Sequence, residues 1–132
     1  MAIHDFWRGR ELVSGLTGVT DEMRATMPAV RHPLVRTMPY GRQSLYLGGH
    51  AVGIVGWPEE KALALLGELY DFATQDRFIY VHEWRQGDLV IWDNRCTLHR
   101  ATPLESDAWK RDVRRTTINE YGPERSADPV AA

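Results

Sequence analysis

The sequence predicts an α+β fold in which one main amphipathic helix packs on an antiparallel sheet. Three observations lead there. Apolar residues recur at helical spacing over residues 58–74, apolar and polar residues alternate with period two from residue 78, and the turn signals Gln86-Gly87-Asp88 and Asp93-Asn94 break the alternating part into short runs. At 132 residues the chain has the length of a single domain.

Residues 1–40 are polar and broken by Gly9, Gly15, Gly18, Pro28, Pro33 and Pro39, which predicts loops and short helices. Thr20, with Asp21 and Glu22 behind it, suits a helix N-cap and first turn, and Pro28 stops that helix within two turns. Residues 44–47 carry a short strand signal, and Gly48, Gly49, Gly53 and Gly56 loosen the chain beyond it. In the helix at 58–74, Pro58 occupies the first turn and Glu59 and Glu60 favour the positive end of the dipole. Leu65, Leu66, Leu69, Phe72 and Ala73 mark its packed face. The β-rich core is expected over 77–118. Phe78, Tyr80, His82 and Trp84 alternate with Ile79, Val81 and Glu83, and further strands are expected at 89–92, 96–102 and 112–118, the first three forming a meander. The tail from 122 to 132, with Pro123 and Pro129, is expected to fray.

Hydrophobic residues make up 43% and charged residues 26%, a globular balance that excludes a disordered or fibrous chain. A formal net charge of -2 provides no field for nucleic acid or an anionic membrane. The one cysteine, Cys96, cannot form an internal disulfide, and no apolar run suits a signal peptide or a membrane span. A cytoplasmic protein is the expectation.

The chemistry concentrates near the end. On the expected strands Thr97, His99 and Ala101 share a face, as do Val113, Arg115 and Thr117, with Arg111 on the same side just before. Two guanidinium groups can thus converge near one histidine. Neutral imidazole suits iron(II), and arginine forks match a carboxylate bidentately. Between Arg95 and Arg115, six basic residues (Arg95, Arg100, Lys110, Arg111, Arg114, Arg115) face three acidic ones (Glu105, Asp107, Asp112), an excess that fits an anionic ligand or, equally, a solvated basic face.

The stretch Trp92-Asp93-Asn94-Arg95-Cys96-Thr97-Leu98-His99-Arg100-Ala101-Thr102, with Arg111 and Arg115 behind it, resembles the C-terminal part of the taurine dioxygenase and 2,4-dichlorophenoxyacetate dioxygenase family. Arg31-His32-Pro33-Leu34-Val35-Arg36-Thr37, Ser44-Leu45-Tyr46-Leu47-Gly48, Phe78-Ile79-Tyr80-Val81-His82-Glu83-Trp84 and Gly87-Asp88-Leu89-Val90-Ile91 stand in family order, so the resemblance covers most of the chain. It implies a double-stranded β-helix, or jelly roll, present here in part. It also implies an Fe(II) enzyme that uses 2-oxoglutarate and O2 to hydroxylate a small organic acid, releasing succinate and CO2. His99 matches the distal iron ligand, Arg115 the arginine that pairs with the far carboxylate of 2-oxoglutarate, and Arg111 a supporting arginine.

The family's facial triad needs a second histidine and a carboxylate, arranged as His-x-Asp or His-x-Glu. Two places after His4, His32, His50, His82 and His99 stand Phe6, Leu34, Val52, Trp84 and Ala101, none of them acidic. The chain therefore reads as a C-terminal portion carrying one of three iron ligands. An upstream segment or a partner chain could supply the others. The alternatives are an inactive remnant, keeping at most an anion site at Arg111 and Arg115, and a non-catalytic module that oligomerises through open strand edges. The remaining candidates read as structural. His82 suits packing or hydrogen bonding, Asp93 and Asn94 turn chemistry, and Cys96 a small strand-start residue.

Overall fold

A computed structural model describes residues 1–102 and 112–118. Their element order is β1 (Ala2–His4), α1 (Phe6–Ser14), α2 (Asp21–Thr26), β2 (Val30–His32), β3 (Val35–Thr37), β4 (Gln43–Leu45), β5 (Ala51–Ile54) and α3 (Glu59–Ala73), followed by a 3-10 turn at Asp76–Phe78. The strands form two antiparallel sheets. One has the order β2-β1-β5 and the other is the β3-β4 hairpin.

Local chemistry starts and stops the helices. The Asp5 carboxylate accepts the Arg8 amide at 2.8 Å to open α1, and Gly15, at φ 64, closes it in the left-handed region that an L side chain resists. Thr20 caps α2 as expected, its hydroxyl accepting the Met23 amide at 3.2 Å. Because a capping oxygen satisfies an amide that would otherwise lack a partner, Thr20→Ala is expected to destabilise the chain by about 1 kcal/mol. A urea midpoint unchanged by this substitution would mean that α2 does not rely on its cap.

The helix expected over 58–74 is α3, with Glu59 and Glu60 in its first turn. It packs against β5, and Ala62 and Leu66 are its buried residues. Its expected apolar face extends too far toward the C-terminus, since Phe72 is half exposed and stacks on Phe78 with ring centroids 5.6 Å apart. The core is small: Ala2, Met38, Ala62 and Leu66 are the buried apolar residues among those described.

Two expectations are corrected. Residues 1–40, expected as loops and short helices, contain β1, β2 and β3 as well as both short helices. Strands of three residues are too short to establish a period, and the partners of β1 lie far along the chain. The strand signal at 44–47 becomes Gln43–Leu45, paired Val35↔Leu45 and Arg36↔Ser44.

The second correction concerns the meander. Among the described residues of 77–118 there is no strand, so the segments expected to form an antiparallel core have no ladder. Tyr80 is 80% exposed, Leu89 84% and Ile91 86%. Alternation marks a chain able to bury one face, whereas a strand also requires a neighbouring edge to take up its amides and carbonyls. No described residue supplies that edge. The loop at 103–109 and the tail at 122–132 lie outside the described residues.

Candidate functional site

The turn that carries the candidate ligand is built by Asp93. Its carboxylate accepts the Arg95 backbone amide at 2.9 Å and the Arg95 guanidinium at 2.7 to 3.1 Å. Its carbonyl accepts the Cys96 and Thr97 amides and the Thr97 hydroxyl. Bonding from the Arg95 side chain, then from its amide, holds the Asp93 carboxyl down at about 2. Asp93 is therefore committed to the turn. The Ser44 hydroxyl donates to the Arg95 carbonyl at 3.1 Å, tying the turn to the β3-β4 hairpin.

Asn94 extends the same brace, its side-chain oxygen accepting the Trp92 indole N–H at 2.8 Å. The Trp92 ring in turn lies 4.9 Å from the His99 ring, centroid to centroid, at 50°. His99 is exposed and makes this ring contact with a tryptophan that Asn94 braces. Arg115 is also exposed, while Arg111 lies outside the described residues.

The donor set does not fit an iron ion by itself. Among the described residues no group of three His, Cys, Asp or Glu side chains is placed to hold a metal. A facial triad needs three such groups, and His99 brings one.

Two further arrangements were not legible in the sequence. The Tyr80 hydroxyl and the His82 Nδ1 lie 3.1 Å apart, the His82 Nε2 and the Asp88 carboxylate 3.1 Å apart, and that carboxylate also accepts the Arg85 amide at 2.8 Å. These residues, with Val81 and Glu83, line an open cleft of about 380 Å³. His82 is a hydrogen-bonding residue, as its sequence context suggests, and its partner comes from across the Gly87 turn.

The second arrangement is a cluster of rings. His4 and His32 stand 5.3 Å apart, each about 5 Å from Tyr46, and His50 packs on Phe6 at 5.2 Å. Burial, followed by the neighbouring His32 and His50, pushes the His4 imidazole down from 6.5 to about 4. Burial, then Arg36, lowers His32 as well. Strand register brings His4 and His32 together, while Tyr46 and His50 reach them from outside the strands, so spacing along the chain does not reveal the cluster.

Comparison with known proteins matches this chain to a family. The model of the taurine catabolism dioxygenase TauD, TfdA family covers residues 1–117, a span that includes His99, Arg111 and Arg115. The chain is 44% identical over 106 residues to the alpha-ketoglutarate-dependent 2,4-dichlorophenoxyacetate dioxygenase of Burkholderia sp. (strain RASC), covering 80% of this chain and 35% of that protein. The enzyme of the same name from Cupriavidus pinatubonensis is 45% identical over 104 residues, covering 78% and 36%. The crystal structure of AAD-2 in complex with Mn(II) and N-oxalylglycine superposes with a TM-score of 0.68 at 41% identity, covering 72% of this chain and 37% of that one. This chain belongs to the taurine catabolism dioxygenase TauD, TfdA family. It spans about a third of the length of the curated relatives it matches. Among the described residues no helix is long and apolar enough to cross a membrane.

Proposed function

We propose that this chain is the C-terminal portion of an Fe(II)- and 2-oxoglutarate-dependent dioxygenase acting in the cytoplasm on a small organic acid. In this reading the jelly roll is completed by an upstream segment or a partner polypeptide that also brings the missing histidine and carboxylate. His99 is the iron ligand from this chain, Arg115 pairs with the far carboxylate of 2-oxoglutarate, and Arg111 supports that pairing. The family match over residues 1–117, with the motif at 92–102 intact, is the observation that carries this reading. The braced Trp92–His99 contact supports it, because a ligand imidazole must be held in one orientation.

An anaerobic titration with iron(II) and 2-oxoglutarate tests the assignment. The 132-residue chain alone is expected to show no visible charge-transfer band. Adding the polypeptide that carries the histidine-acid pair is expected to produce a band, which disappears in His99→Ala. A band indifferent to His99→Ala would remove His99 from the metal.

One observation favours a second reading. Tyr80, Leu89 and Ile91 present apolar side chains on a segment whose backbone has no ladder, which suits a module that pairs through open strand edges. A stable homo-oligomer in light scattering, together with no band under any combination, would favour that module over the enzyme. A folded monomer without a band would favour an inactive remnant with an anion site at Arg111 and Arg115.

A further inference from the structure

We propose that His4 and His32, at a joint that the His50 backbone fastens, form an acid-operated latch that holds the three-stranded sheet closed only while the His4 and His32 imidazoles are neutral. The latch is independent of the iron site. β1 is the central strand, paired with β2 on one side and β5 on the other, so freeing it opens the whole sheet. His4 ends β1. In the register Ala2↔His32 and His4↔Val30, His4 and His32 fall on the same sheet face as diagonal neighbours, and their rings meet edge to face at 79°. His50 stands just before β5, and its carbonyl accepts the Asp5 amide at 2.8 Å, which fastens the start of α1 to the same joint.

Among the described residues, the surroundings of His4 offer no counter-charge. β2 contributes His32, the segment after β4 contributes Tyr46, the turn before β5 contributes His50, and the Arg36 guanidinium of β3 stands 4.9 Å over the Tyr46 ring. From α1 come Phe6, packed against His50, and Trp7, packed against Phe6. The adjacent carboxylate, Asp5, accepts the Arg8 amide at the helix start. The His4 Nε2 is buried and has no hydrogen-bond partner among the described residues. A proton placed there would sit on a desolvated ring beside other groups that are cationic or become so.

Linkage sets the sign. The unfolded chain binds a proton at the ordinary histidine value of 6.5, whereas folded His4 does so only near 4, so within that window the open form holds more protons. Stability therefore falls as pH drops from about 6.5 to about 4 and levels off below. One coupled proton makes opening up to about tenfold more frequent per pH unit.

Amide exchange of the full 132-residue chain, corrected for intrinsic rates, is expected to show β1 opening rise by about that factor per pH unit as the pH is lowered through the window between the two histidine values. His4→Phe, which keeps a ring but not the proton site, should flatten the dependence. If that variant fails to fold, an NMR titration of the unaltered chain decides. A His4 ring that titrates at least about one pH unit below a histidine in a peptide of residues 1–10, a tenfold difference in proton affinity, supports the latch. One that titrates with the peptide overturns it, as would β1 amides that exchange unprotected at neutral pH.

Discussion

Arg115→Ala is expected to abolish binding of 2-oxoglutarate by the assembled protein. The far carboxylate of the cosubstrate would lose its fork partner, and a desolvated charge left unpaired costs roughly 2–5 kcal/mol, a weakening of more than about 30-fold. Arg115→Lys should restore part of the affinity, because an ammonium keeps the charge without the planar two-point geometry. Arg114→Ala is the control, since on the strand that the proposed complete barrel requires here neighbouring residues would point to opposite sides. Calorimetry that finds binding unchanged in Arg115→Ala would remove the cosubstrate assignment altogether.

Gly9→Ala is expected to destabilise the chain by roughly 3 kcal/mol, the upper end of what inserting one carbon into a filled site costs. Gly9 lies buried within α1, where an added Cβ would stand 2.1 Å from the Gly49 carbonyl oxygen and 3.0 Å from the His50 Cα. Both are backbone atoms, so no flexible side chain can swing away. The direction is diagnostic, because alanine in an unobstructed helix would be more stable than glycine by about 1 kcal/mol. A urea midpoint that rises in Gly9→Ala would show that α1 does not approach the Gly49-His50 turn. A fall of the expected size is large beside the roughly 5–15 kcal/mol of an ordinary domain.

The parts of the fold that were legible are those held by near neighbours in sequence. α3 carries its own period and its acidic first turn, α2 its Thr20 cap, and the Asp93 turn its Asx chemistry. Each forms from contacts only a few residues apart. α1 also had local signals, Asp5 before it and Gly15 after it, yet the glycines and prolines of residues 1–40 concealed an ordered helix between them. The candidate site was read in a different way. His99, Arg111 and Arg115 are proposed from the order of a motif, and the match over residues 1–117 supports the family which that motif suggests. The contact of His99 with Trp92 depends on the Trp92–Asn94 bond, which no spacing announces.

By itself, the sequence determined the family, the main helix, the helix cap and the turn that presents His99, because motif order and short-range bonding are written along the chain. Tertiary structure decided which strands pair, that Gly9 must stay bare against Gly49, and that His4, His32 and Tyr46 meet in one cluster. It also decided against the expected meander at 78–102. Apolar and polar residues alternate at the start of that stretch, but a ladder is a property of two edges, and residues 79–102 meet no second edge among those described.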